Sequence, residues 1–240
     1  MTAPSPLALS ALHHVHLALG AEMEEGYGWL RPARYTSPDE EAEAVRGGVG
    51  LCDTSPSGKL LLHGEVDRYI MEGLQQGGPE EPGDAGLMQF TEDSGIGDIL
   101  AARLTADEAL LVTAPNQSSM VAETLGDMDD GCAHSVDITS ARTGICIAGP
   151  AAQHTLAAVT EVDTSTHSFT DMSCAQGSVS QVHATLIRHD IGDLPRYSIY
   201  VDRAYGEYMW ETLVEAGTRY GMIPFGTDAL SRLQPGSMQG

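Results

Sequence analysis

Asp98 has the clearest chemical setting in the chain. In the segment DSGIGDILAARL it follows a glycine-bearing turn and opens an apolar run, which places its carboxylate at a sheet end. A carboxylate fixed there can position or stabilise charge developing on a bound group. The plainer alternative is that Gly-Asp is a common loop pair. Asn116 closes a second apolar run, ALLVTAPN. Its amide can present a donor and an acceptor to one ligand edge, and it serves equally well as a cap for the helix predicted after it.

Other reactive residues carry weaker patterns. His14 and His16 share a face in a strand, whereas in a helix none of His13, His14 and His16 stands at i,i+4. No nearby carboxylate or cysteine completes a ligand set, so no metal site is assigned. Cys52, Cys132, Cys146 and Cys174 form no CxxC pair, and Cys52 and Cys146 lie in apolar runs that suit buried thiols. The scattered His63, His154, His183 and His189 have no serine elbow to serve. No GxGxxG or Walker pattern supports dinucleotide or NTP binding.

The elements that must hold these residues are legible in outline. Ser37, Pro38 and Glu40 predict a capped helix over 38–49. GKLLLHG predicts a strand at 58–64 and EVDRYIMEGL a helix at 65–74. QQGGPEEPGDAG is a loop at 75–86, followed by strands near 87–91, 99–104 and 106–114 and a helix at 117–126. The second half repeats this order. TGICIAGP gives a strand at 143–150, AAQHTLAAV a helix at 151–159, YSIYVD a strand at 197–202, and AYGEYMWETLVEAGTRYG a helix over 204–221. Two β-α-β-β-α-like halves imply a duplicated α+β unit.

Composition bounds the partners. Thirty-four acids against twelve bases give a net charge of −22, and Lys59 is the sole lysine. That field repels nucleic acid, and no basic run offsets it. Acids spread along the chain suggest a surface adapted to high salt, although an arginine-favouring genome also depletes lysine. No apolar run is long enough to cross a membrane, and residues 7–20 lack the features of a signal peptide, so a soluble cytoplasmic protein is expected.

Three segments, GYGWLRPARY…AVRGGVGLCDTSPSGK at 26–59, DSGIGDILAARL…LLVTAPN at 93–116 and RYGMIPFG at 219–226, occur in an order and spacing that resemble the folate-binding core of the glycine cleavage aminomethyltransferase (T-protein) family. The resemblance covers roughly 10–234. It implies one α+β folate-binding domain over 1–240, a duplicated core in two interlocked lobes, approximately 10–130 and 131–234. Family members continue into a carboxy-terminal β-barrel that this sequence does not show.

The resemblance also implies tetrahydrofolate as cofactor and an amine-type donor of a one-carbon unit. Asp98 then faces the reactive folate nitrogens and Asn116 contacts the pterin. Trp29 and Tyr35 line the cleft, with packing as the alternative. Lys59 pairs with the anionic folate tail or with a structural carboxylate. The family's histidine in the second motif is Pro56 here. The family's RtGYTGE segment is RHDIGDL, with Arg188 in frame and the pterin-clamping glutamate replaced by Leu194. Asp193, or Asp190, substitutes if the loop is re-registered. The implied partners are a lipoyl carrier protein or a separate barrel or oxidase subunit. The alternative function is a non-catalytic folate-binding paralogue, or a subunit of an amine oxidase or demethylase complex.

Overall fold

The computed structural model describes residues 7–67, 70, 78–89, 95–126 and 133–234. The chain begins with β1 (Ala8–Leu9), α1 (His13–Ala18), β2 (Glu22–Gly26) and β3 (Trp29–Arg34). These strands form a small sheet in the order β1-β3-β2. Tyr27 and Gly28, both at positive φ, make the tight β2–β3 turn, the backbone that a two-residue hairpin favours.

Helix α2 (Pro38–Gly47) has the predicted capping box: Ser37 accepts from the Glu40 amide, and Glu40 reaches back to the Ser37 amide. β4 (Gly50–Asp53) and β5 (Gly58–Gly64) follow. β5 matches its expected limits. The helix expected at 65–74 lies largely outside the described residues.

Next come β6 (Ala85–Met88), β7 (Ile99–Arg103), β8 (Glu108–Thr113), α3 (Ser118–Gly126) and β9 (Ala133–Asp137). β6 begins two residues before the expected strand and ends at Met88. The second half contains β10 (Arg142–Ala148), α4 (Ala152–Leu156), β11 (Ser173–Val179), β12 (Val182–Arg188), β13 (Arg196–Asp202), α5 (Gly206–Gly217), β14 (Ile223–Pro224) and α6 (Thr227–Leu233). α4 is shorter than the sequence predicted. α5 is regular only within the expected 204–221 span and is flanked by 3-10 turns at Arg203–Tyr205 and Thr218–Tyr220.

The fold is α+β, and its duplication is visible in the strand order. One sheet runs β6-β7-β8-β5-β9 and the other β11-β12-β13-β10-β4-β14. Shifting each number in the first by five reproduces the second, with β4 inserted. The halves interlock: β4 joins the second sheet, and β9 at 133–137 belongs to the first.

Strand periodicity explains why both sheets are buried on two faces. On β10, Ile145 and Ile147 pack with Trp210, Leu213 and Leu156 beneath α5 and α4. On β12, Ala184 and Leu186 face the same helices, while Ile187 faces the other sheet. On β5, Leu60 and Leu62 join Val121 and Leu125 of α3. Between the sheets lie Leu100, Ala102 and Leu110 from one side and Cys174, Ile187 and Tyr200 from the other. The Cys174 thiol donates to the Asp84 and Arg103 carbonyls at the corner where Asp84 bridges to Ser173.

Candidate functional site

A cavity of about 460 Å³ opens where the small amino-terminal sheet meets the first large sheet. Trp29, at the start of β3, and Asn116, in the turn after β8, share its lining with Gly58, Ser118, Asp137 and Thr139. Asn116 takes the left-handed conformation at φ 67, which asparagine tolerates better than most residues. Gln117 separates Asn116 from α3, so Asn116 does not directly precede the helix. Glycine is required at 58, because a Cβ there would strike the Thr113 hydroxyl and Ser118.

Asp137 supplies the carboxylate of this lining. Burial, the largest influence, raises its pKa. Hydrogen bonds from Thr139 and Ser118 and the charge of Lys59 outweigh burial and hold it below the usual carboxylate value. An aromatic face, an amide, a carboxylate and hydroxyl groups therefore surround one space. Such a lining can stack a flat ring and bond both donors and acceptors on its edge. Pro56 also lines the cavity and brings no proton-transfer group.

The other residues singled out from sequence are placed elsewhere. Asp98 is exposed, outside this lining, and accepts from the Gln89 amide at 2.7 Å. The Gly97 amide donates to Gln117 Oε1 at 3.2 Å, so the Asp98 and Asn116 turns lie at the same end of the sheet. Arg188 is buried on β12 and makes a fork to Asp190 at 3.0 and 2.8 Å, with a third bond to the Phe169 carbonyl. That fork commits Asp190. Asp193 is exposed in the turn closed by the Ile191–Leu194 bridge. Leu194 packs against a cluster containing Ile191, Phe225 and Cys146.

Tyr35 belongs to a buried polar chain. Its hydroxyl lies 2.7 Å from His16 Nδ1, and His16 Nε2 lies 3.0 Å from Asp53 Oδ2. Burial, the largest influence on Asp53, raises its pKa, but His16, Ser10 and Ser55 together prevail and lower it. A carboxylate in this state makes Nε2 the donor toward Asp53. His16 is thus occupied by protein partners, and no group of metal-ligating residues occurs among the described residues.

Lys59 is fully buried. Its ammonium donates to the Ser55 and Ser57 carbonyls at 2.8 and 2.7 Å, and burial lowers its pKa to about 8. Burial likewise pushes the Cys146 thiol up to about 11 and Cys174 up to about 12, and raises Cys52 well above its usual value. Buried neutral thiols do not act as nucleophiles. Cys132 lies outside the described residues.

Glu41, whose importance the sequence did not signal, is a buried clamp. Oε1 accepts from the Tyr35 and Thr36 amides at 2.5 and 2.7 Å, and Oε2 accepts from Gly226 at 2.8 Å. A Cβ at Gly226 would overlap the Ala33 carbonyl, which explains the closing glycine of GMIPFG. Asp137, Ser118 and Thr139 were also missed. Ser118 follows Asn116 by two residues at the start of α3, whereas the pairing of β9 with β5 brings Asp137 and Thr139 beside Gly58.

The aminomethyltransferase of Acidobacterium capsulatum is 29% identical over 241 residues, covering 97% of this chain and 63% of that protein. The aminomethyltransferase of Streptomyces avermitilis is also 29% identical, covering 97% and 62%. Sarcosine oxidase subunit alpha of a Corynebacterium species is 24% identical, covering 95% of this chain and 26% of the subunit. The chain thus spans a little over three-fifths of the length of the aminomethyltransferases it matches.

Among solved structures, the glycine cleavage system aminomethyltransferase T of Bartonella henselae superposes with a TM-score of 0.79 at 18% identity, covering 95% of this chain and 62% of that one. A heterotetrameric sarcosine oxidase superposes at 0.64 and 17% identity, covering 88% and 95%. These two share the fold. The family model described as the GCVT N-terminal domain matches residues 12–236, and the chain belongs to that family.

Proposed function

We propose that the chain is the folate-binding part of a tetrahydrofolate-dependent one-carbon transferase of the aminomethyltransferase type. The observation that carries this reading is the cavity in which Trp29 and Asn116 meet. Its lining fits a pterin: Trp29 offers a ring face, Asn116 a donor and acceptor, and Asp137 an acceptor for an amino-substituted ring edge. Asp137 takes the part that Leu194 cannot, because Leu194 is turned into an apolar cluster. Bound tetrahydrofolate supplies the ring nitrogens that accept a one-carbon unit. Asp98, at the same end of the sheet, provides a carboxylate at the rim, where an amine-type donor or its carrier approaches.

A second reading is a folate-binding subunit that works beside a separate oxidase or lipoyl-bearing partner. Its support is the exposure of Asp98 and the commitment of Arg188 to Asp190, which leave fewer groups to act on a substrate. Calorimetric titration with tetrahydrofolate tests the shared core of both readings. Binding should weaken about ten-fold or more in Asn116→Ala and Asp137→Ala, each of which removes a bond to a polar ring edge. In Asp98→Asn, affinity should hold while turnover falls if the chain is catalytic. No binding by the wild type would remove both readings.

A further inference from the structure

A second cavity lies between the two large sheets and shares no lining residue with the Trp29–Asn116 cavity. Its volume is about 210 Å³. Its walls include Leu61, Leu104, Leu110 and Ile138, and its polar groups include Arg142 at the start of β10 and His183 on β12. Leu104, Leu110, Ile138 and Tyr200 continue the apolar layer between the sheets, so one side of the cavity is apolar. His183 and Gln176 are exposed and form the open side.

Arg142 is the unusual member. In a chain with 34 acids and 12 bases, cations find partners easily. Arg34 pairs with Glu22, Arg103 with Asp67, Arg188 with Asp190 and Arg232 with Asp39. Arg31, Arg46, Arg196, Arg203 and Arg219 hold a carboxylate, a carbonyl or a ring face. Among the described residues, Arg142 is the arginine with no hydrogen-bond, ion-pair or ring partner. Gln176, His183 and Thr185 in the same lining likewise make no side-chain hydrogen bond within the described structure. Of the nearby charges, the Lys59 ammonium is held by two carbonyls, and the Glu108 carboxylate lies 3.5 Å from the His63 imidazole.

A free guanidinium beside uncommitted polar groups, above an aliphatic wall, has the chemistry of a receptor for an amphipathic anion. The planar fork matches a carboxylate with two parallel bonds. The volume falls below the range of drug-sized sites, which restricts the occupant to a few carbon atoms. We propose that this inter-sheet cavity binds a small aliphatic monocarboxylate, with the carboxylate on Arg142 and the hydrocarbon against Leu61, Leu104 and Leu110. The site is separate from the proposed folate cavity and does not depend on it.

Isothermal titration of the whole chain with 4-methylpentanoate, acetate and 3-methylbutylamine tests the proposal. 4-Methylpentanoate should bind, acetate should bind more weakly because it leaves the aliphatic wall uncovered, and the amine should give no heat. Arg142→Gln should weaken 4-methylpentanoate by about ten-fold or more, the scale of a lost charge-assisted pair, while its melting temperature stays close to wild type. Leu110→Phe, which fills the space, should also abolish binding. Should that variant fail to fold, His183→Ala at the open side serves as the second probe and should weaken binding without unfolding the protein. Binding of the amine as tight as that of the acid, no binding of 4-methylpentanoate at millimolar concentration, or affinity unchanged in Arg142→Gln would each overturn the proposal. Tetrahydrofolate titration of Arg142→Gln should match wild type, which separates failure here from failure of the folate reading.

Discussion

His16 Nε2 and Asp53 Oδ2 lie 3.0 Å apart with both side chains buried, and this contact ties α1 to β4 across 37 residues of sequence. Removing one partner of a buried pair strands the other. Asp53→Ala is therefore expected to lower stability by about 1–3 kcal/mol, the scale of a buried donor left unsatisfied, and Asp53→Asn by less because the amide oxygen still accepts from Nε2. The pH dependence has a definite sign. The Asp53 pKa is depressed on folding, so its contribution is present above the unfolded carboxylate value. It is lost as pH falls through the lower folded value. Urea denaturation of wild type and Asp53→Ala at neutral and acid pH should show their difference shrinking in acid. A difference independent of pH would mean that Asp53 is not held below its unfolded pKa in the folded protein.

Lys59 gives a slope of the same sign at alkaline pH. Burial lowers its folded pKa from 10.5 to about 8, so the unfolded chain binds more protons between those values. Stability from this group rises as pH climbs through that window. Cysteines titrate nearby, so the useful quantity is the difference between wild type and Lys59→Met. That difference should move in favour of wild type from pH 8 to 10.5, and a constant offset would show that Lys59 stays charged in the folded state.

Leu194→Glu probes the hairpin between β12 and β13. The family resemblance made it a route to tighter folate binding. The packing of Leu194 against the cluster that contains Ile191, Phe225 and Cys146 makes it a route to instability. A carboxylate placed against that cluster should cost about 1–3 kcal/mol. Thermal melting measures the loss. Tighter tetrahydrofolate binding at undiminished stability would show instead that the loop re-registers.

The charge of −22 predicts a salt response. Like charges on a compact surface repel, and the screening length falls to a few ångströms at molar ionic strength. The melting temperature should rise from dilute to molar sodium chloride. A flat or falling curve would remove the halophilic reading.

Regular local signals were the most legible. The Ser37–Glu40 capping box and the short apolar run in GKLLLHG place α2 and β5 within a residue or two, because both rest on neighbours in sequence. The duplicated grammar of the halves emerges as two sheets with the same strand order. Motifs were less informative about side-chain partners. Asp98 and Asn116 sit at one sheet end as their motifs suggested, yet Asp98 lies outside the lining that Asn116 shares with Trp29. Tyr35 turns toward His16, and Arg188 toward Asp190. Asp137 and Arg142 reach their cavities through strand pairings that join residues scores of positions apart, and no local pattern marks them.

The insertion of β4 between β10 and β14 has a consequence for synthesis. All four β4 residues are buried, and one edge pairs with Ile145–Ala148 while the other meets Ile223–Pro224. On a ribosome, a segment completed by residue 53 waits for partners made about 90 and 170 residues later. Until then it is a short apolar strand with two open edges, the kind of surface that invites non-native pairing. Its non-local closure also makes folding slow relative to a chain of local contacts. The amino-terminal half, released alone, would retain that strand with neither edge paired.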